Sequence, residues 1–407
     1  MQGDTEKTFV NQASAIDTKS GWVLGHVAMT VYSFAGAALV AASSSAVTPL
    51  YRLYQQSMHL TPLMITLVFA VYAISLLAAL LTVGGLSDYV GRKPVIFVAL
   101  LINAVAMVLF SYATDVTHLI IARAVQGLCV GIATTTLGAS ILDSDRKRGP
   151  LLNSVTAFIG LMVGVLGAAL LVTYGPDPLH LVYEVLFAIT AVMIVLLMVM
   201  PETVSRKPGA LASLQPNVRV PPQSRVALLR VAPASIAAWA LGGFYLSLMP
   251  TVVAVIMGVS APWIGGVVVA ALMLSGALAV AALRHLPPRR LLVLGTATLS
   301  LGVVVSLIGI WQHSVVALFA GAVIAGIGFG GSFAGTLSAL LPTAEAHERA
   351  GLLATFYIIS YLAFSLPALA AGVAVPYVGL DGVAYAYGVV VIVLAIASMI
   401  ATLRSEA

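Results

Sequence analysis

The sequence predicts an all-α membrane protein: twelve transmembrane helices in two pseudo-symmetric six-helix bundles. Of its 407 residues, 61% are hydrophobic and 8% charged, and the mean hydropathy is +1.08. Soluble domains run at roughly 45–50% apolar and about 25% charged. Apolar runs long enough to cross a bilayer core, at about 20 residues per crossing, recur at 27–50, 63–83, 95–113, 119–142, 151–173 and 181–200. They resume at 231–257, 262–283, 291–311, 315–341, 352–375 and 383–403. The one long polar stretch divides these spans evenly. It sets a tail at 1–26, an N-terminal bundle at 27–200, a linker at 201–230 and a C-terminal bundle at 231–403.

An even number of crossings places both termini on one side. With that side cytoplasmic, every Lys and Arg except Arg52 and Arg123 falls in a cytoplasmic segment, the bias that orients membrane helices. The tail carries both charge signs and lacks a signal-peptide pattern. The net charge of +5 is scattered singly between apolar runs, so it marks topology and predicts no nucleic-acid partner. A single cysteine, Cys129, excludes a disulfide framework. The spans hold too few His, Asp and Cys for a metal site. Ser332 has no His or acid in adjoining spans, and no nucleotide-binding loop is present. Neither an enzyme nor a nucleotide-driven pump is expected, and no cofactor.

In chain order, span 1 ends in Ser43-Ser44-Ser45-Ala46-Val47-Thr48-Pro49, followed by Arg52. Its hydroxyls, Ser44 and Thr48 among them, either line a cavity or bond back to their own backbone; Arg52 reads as an interfacial anchor. Between spans 2 and 3 lies Gly84-Gly85-Leu86-Ser87-Asp88-Tyr89-Val90-Gly91-Arg92-Lys93-Pro94. This polar hinge concentrates charge and glycine in a chain poor in charge, and its glycines permit a tight reversal. The pattern Gly-x-x-x-Asp-x-x-Gly-Arg-Lys resembles the signature between helices 2 and 3 of the major facilitator superfamily of transporters. Tyr89 departs from it, standing where that family usually has Arg or Lys. The resemblance implies that Gly84, Asp88, Gly91, Arg92, Lys93 and Asp143 form a conformational switch. In that switch Asp88 caps the start of helix 11 near Gly351, and Arg92 pairs with Asp143 at the end of helix 4.

Span 4 carries Arg123-Ala124-Val125-Gln126-Gly127, which resembles the family's second signature, Arg-x-x-Gln-Gly. A guanidinium at membrane depth must face the interior or water, unless it snorkels to the headgroups, and Gln126 shares its helix face. Span 5 keeps a glycine face, Gly160, Gly164 and Gly167, but has Ala168 where drug/proton antiporters of the family carry Pro. No acid sits at the centre of any span. Glu184, a few residues into span 6, is the possible proton site. His26, His118, His180 and His313, at span ends, are weaker ones.

The halves read as repeats offset by about two hundred residues: Arg148 to Leu152 against Arg349 to Leu353, and Gly127 and Gly131 against Gly326 and Gly330. Such duplication is expected of transporters. Cavity candidates are Tyr72, Met162, Trp239, Tyr245, Met273, Phe329, Phe333, Phe356, Tyr357 and Tyr361, alongside Arg123, Gln126, Gly127, Ser44 and Thr48; each aromatic or Met equally suits plain packing. The resemblance, nearest to the twelve-helix bacterial drug/proton antiporters, implies a monomeric multi-pass protein of the bacterial inner membrane, with protons, small-molecule substrate and the lipid bilayer as partners. It would export small apolar or amphipathic compounds in exchange for protons, a multidrug-resistance efflux role. The alternatives are a family transporter of an organic anion or metabolite, in either direction, and a transport-inactive sensor.

Overall fold

The computed structural model describes residues 24–259 and 261–404, and these form a helical protein without strands. The expected tail, apart from its last three residues, lies outside them. Twelve long helices follow the chain: α1 (His26–Ser45), α2 (Pro62–Val83), α3 (Arg92–Ser111), α4 (Val116–Ser144), α5 (Gly149–Tyr174), α6 (Pro178–Leu197), α7 (Arg225–Ser247), α8 (Pro262–Leu283), α9 (Pro288–Trp311), α10 (Val315–Leu340), α11 (residues 349–378) and α12 (residues 380–404). The last two run as one helix, Arg349–Arg404, broken by the non-helical Gly379 (φ 76°). A loop of several residues was expected there; one glycine in the left-handed region turns the chain instead.

Local chemistry sets the starts. Pro occupies the first turn of α2, α5, α6, α8 and α9, where its missing N–H costs nothing. Side chains of Thr61, Asp115 and Ser314 cap α2, α4 and α10. The His118 and Thr117 N–H groups donate to Asp115 and hold its carboxyl below the usual carboxylate range.

Spans 1 and 7 differ from expectation, because both break near one end. In α1 the helical ladder stops at Ser45. The Thr48 N–H turns to the Ser45 carbonyl (2.9 Å), and Pro49 has no N–H to offer. A short helix, Tyr51–Met58, follows. In α7 the break after Ser247 precedes Met249–Val255, with Pro250 in its first turn. The two prolines keep the two-hundred-residue offset.

Packing reproduces the repeat atom by atom. A Cβ on Gly127 would lie 2.5 Å from Tyr72 O, and one on Gly131 2.5 Å from Leu76 O. In the second bundle Gly326 meets Leu272 O at 2.3 Å and Gly330 meets Gly276 O at 2.2 Å. Glycine thus lets α4 close on α2, and α10 on α8, at matching registers, as small residues do between membrane helices.

Call the side bearing residues 84–94 the hinge end and the other the far end. The bundles are closed against each other at the far end. Thr48 Oγ1 donates to Leu246 O across them (2.8 Å), Gly372 of α11 abuts Thr66 of α2, and Gly266 of α8 abuts Ala169 of α5.

Candidate functional site

Arg123 is 1% exposed, the largest fully buried side chain. Its Nη1 donates to Ser44 O (2.9 Å) and Gln126 Oε1 (2.6 Å), and its Nη2 to the Tyr51 hydroxyl. Gln126 Nε2 donates to Ser43 O (2.9 Å). The Arg-x-x-Gln pair therefore caps the carbonyls at the broken end of α1, where cation and helix C-terminus attract. The guanidinium carbon lies 5.5 Å from the Tyr51 ring centre, 5.0 Å from that of Tyr72 and 5.9 Å from that of Phe110. It neither snorkels nor meets a carboxylate: its hydrogen-bond partners are all neutral, and its Nε is buried without one.

The hydroxyl run is bonded within the same region. Ser43, Ser44 and Ser45 bond back to Leu39 O, Ala41 O and Ala42 O, Thr48 donates to Leu246 O, and both Ser44 and Thr48 are buried. Tyr245 is buried and paired with Ser306 inside the second bundle (3.0 Å), away from the bundle interface. Glu184 sits on the exposed face of α6 and takes no part in the Arg123 bonding. His118 and His180 pair with Asp115 and Asp177 at the surface; His313 bonds Ile256 O.

Trp239, Phe333, Tyr357 and Tyr361 do come together. They belong to a connected array of rings between the bundles: Phe69 of α2, Phe158 of α5, Trp239 of α7, Phe329 and Phe333 of α10, and Phe356, Tyr357, Tyr361 and Phe364 of α11. Ring centres of neighbours lie between 4.8 Å (Phe69–Phe364) and 6.5 Å (Trp239–Phe333), mostly tilted or edge-on, as ring quadrupoles favour. Phe69–Phe364 and the contacts of Phe158 with Phe329 (5.2 Å) and Phe333 (6.0 Å) are the crossings between bundles. The second bundle supplies most of the rings. Sequence nominates most of these residues but not Phe69, Phe158 and Phe364, because only tertiary placement separates them from ordinary packing rings.

At the hinge, Arg92 is buried. Its Nε donates to Asp143 Oδ2 (3.0 Å), the pairing the resemblance implies, and its Nη1 to Ser87 Oγ (2.7 Å) and Asp88 Oδ1 (2.5 Å). Asp88 itself is 57% exposed and does not cap α11. The start of α11 is met by the linker, whose Arg219 N–H donates to Gly351 O (3.3 Å).

Glu202 is a charged residue of the hinge that the sequence motifs do not single out. Its carboxylate accepts the N–H groups of Arg92 (2.8 Å) and Lys93 (3.0 Å), so the linker caps the N-terminus of α3 in place of Gly91, which has φ 99° and no side chain. Lys93 Nζ answers by donating to Met198 O and Met200 O past the end of α6. The signal was present in the sequence: Glu202 is the one acid in a basic linker. We expect Glu202→Ala to cost about 1 kcal/mol of stability, the usual worth of a lost cap, whereas Asp88→Asn should stay within about 0.5 kcal/mol, because the Asp88 carboxylate is largely solvated and Arg92 keeps Asp143 and Ser87. Thermal unfolding of the two variants side by side checks this, and equal losses would contradict it.

A family model described as Major Facilitator Superfamily matches residues 33–304. The Multidrug resistance protein MdtM of Escherichia coli O157:H7 is 35% identical over 130 residues, 30% of this chain and 31% of that one. MdtL of Klebsiella pneumoniae (strain 342) is 33% identical over 111 residues, 26% and 28% of the two chains. The chain thus matches less than a third of the length of these relatives. Among solved structures, a mutant of the nucleoside transporter NupG superposes with a TM-score of 0.71 at 13% identity, covering 92% of this chain and 99% of that one. A bacterial homologue of the human lysosomal transporter Spinster, inward-facing and unoccupied, gives 0.72 at 13% identity, covering 93% and 97%.

Proposed function

The chain belongs to the major facilitator superfamily, a family of transporters, and from that premise we propose that it exports small apolar or amphipathic compounds by alternating access, in exchange for protons. The observation that carries this reading is the ring array. It lies between the two bundles, where a rocking transporter binds cargo, and no carboxylate of the described residues joins it. The partial identity to the multidrug resistance proteins supports the same cargo class. Glu184 lies several residues inside α6, further from a helix end than Asp143 of α4 or Asp381 of α12, and on its exposed face, which makes it the first residue to test for proton exchange.

We further propose that the protein works as a monomer in a bacterial inner membrane with the hinge end cytoplasmic. The basic bias supports that orientation. Single cysteines in place of Ser205, in the linker, and Gln312, between α9 and α10, are both exposed. An impermeant maleimide on intact cells should label Gln312→Cys and spare Ser205→Cys; the opposite pattern overturns the topology.

Transport is tested in proteoliposomes carrying the purified protein, with cationic, neutral and anionic aromatic dyes, with and without a pH gradient. Uptake that the gradient accelerates, and that Glu184→Gln renders indifferent to it, is the expected result. Uptake indifferent to pH in the unaltered protein would remove proton exchange and keep the transporter. No uptake of any dye would remove the export reading.

A further inference from the structure

Three hydrogen-bond donors in the ring array are idle. The Trp239 Nε1–H and the hydroxyls of Tyr357 and Tyr361 have no acceptor among the described residues. The three residues are only partly buried, and their donor atoms are not among the polar atoms sealed in the core without a partner. That pattern is unusual among the polar groups of these helices. Most span hydroxyls here are spent on a carbonyl one turn back, as in Ser365 to Tyr361 O (2.8 Å) and Ser275 to Ala271 O (2.7 Å). Trp239 and Tyr361 lie edge to face with ring centres 5.0 Å apart, and Tyr357 follows at 6.2 Å from Tyr361. The donors thus share one wall, contributed by α7 and α11.

The opposite wall brings a positive field. Arg123 is fully buried, its hydrogen-bond partners are neutral, and its guanidinium lies against the Tyr72 ring, one turn along α2 from Phe69. A buried charge without a counter-charge is felt strongly in a low-dielectric interior, so a cation entering the array would meet repulsion and no carboxylate. An anion would shed its water yet find the guanidinium already bonded to α1 and screened by Tyr72. Aromatic faces and free N–H and O–H donors remain on offer.

Building on the export reading, we propose that the array selects uncharged planar aromatic compounds bearing a hydrogen-bond acceptor oxygen, with Trp239, Tyr357 and Tyr361 as the donors that recognise it, and discriminates against aromatic cations of the same shape. A pocket that donates to an oxygen rejects the analogue lacking it, because the donors are then left unpaired.

The test uses three tricyclic probes of matched outline: 10-methylacridone (neutral, carbonyl acceptor), 10-methylacridinium (cation, no acceptor) and acridine-9-carboxylate (anion). Binding to the full chain in nanodiscs is read from probe fluorescence anisotropy, with empty nanodiscs subtracted. Methylacridone should bind at least about tenfold more tightly than either ion. Tyr361→Phe and Tyr357→Phe, which keep the rings and remove the donors, should each weaken methylacridone several-fold and leave methylacridinium unchanged. Phe333→Leu, which removes a ring and no donor, should weaken all three probes. The proposal is overturned if the cation or the anion binds as tightly as the ketone, or if the donor-free variants bind methylacridone undiminished. Dye uptake in proteoliposomes separates that failure from failure of the export reading. Transport that persists with a cation-preferring array removes only the charge class; absence of both uptake and binding removes the two together.

Discussion

Arg123→Ala should produce the largest loss of stability and function of any single polar substitution in this protein. The truncation strips Ser44 O, Gln126 Oε1 and the Tyr51 hydroxyl of a shared donor. Interhelical hydrogen bonds within membranes are worth roughly 0.6–1.7 kcal/mol each, and the stacking of the guanidinium on Tyr51, Tyr72 and Phe110 adds about 0.5–2 kcal/mol. Two such bonds, to Ser44 O and the Tyr51 hydroxyl, together with the stacking make roughly 2–5 kcal/mol, since the bond to Gln126 lies within α4. Function should fall further than stability. The capped end of α1 leads directly into Thr48, which closes the far end on Leu246, so an uncapped α1 leaves that closure without a fixed frame. Arg123→Lys retains charge but not the fork that reaches Ser44 and Tyr51 at once, and should recover part of the stability and little of the transport. Thermal unfolding in detergent and proteoliposome uptake read the two losses separately. An Arg123→Ala protein with unchanged melting and uptake would show that the cap is ornamental.

The second large effect sets two glycines of α5 against each other. A Cβ on Gly164 would stand 2.1 Å from Ala42 O and 2.3 Å from Ser45 Oγ, whereas Gly167 has nothing within 4 Å. Gly164→Ala must therefore push α5 off α1, at about 1–3 kcal/mol for overpacking, and more where the obstacle is backbone that cannot rotate away. It also presses on the stretch of α1 that Arg123 and Gln126 cap, so loss of transport should accompany loss of stability. Gly167→Ala, three residues along, should be neutral or gain up to about 1 kcal/mol from helix propensity. Size-exclusion profiles and melting temperatures of the pair decide it; equal behaviour would mean that α1 and α5 are not packed as described.

What could be read from sequence follows from which forces act locally. The spans are legible because each must satisfy its own backbone in the bilayer, and the repeat was visible in Gly127, Gly131, Gly326 and Gly330. The placement of Arg123 and Gln126 on one face was legible from their spacing; their acceptors were not, because nothing in a run of serines announces that the ladder stops at Ser45. Arg92 found Asp143 as the resemblance implied, while Asp88 turned to Arg92, four residues on, since a local ion pair needs no agreement between the bundles. The aromatic residues were legible as a pool only. Which of them converge depends on how α7, α10 and α11 face α2 and α5.

The docking of the linker sets a limit on how far the protein can open. From Glu202 to Ser213 the segment is laid along the first bundle: Glu202 on α3, the Lys207 N–H on Tyr89 O (2.8 Å) and Ser213 against Gly85. By Arg219 it is fastened to α11 of the second. Only residues 214–218 are left as slack, and fully extended the chain from Ser213 to Arg219 reaches roughly 20 Å at ~3.4 Å per step. The segment is thus a leash of fixed length across the mouth of the hinge end. Any wider gape must first peel it from one bundle, so the size of cargo admitted from that side is set by contacts that cargo never touches.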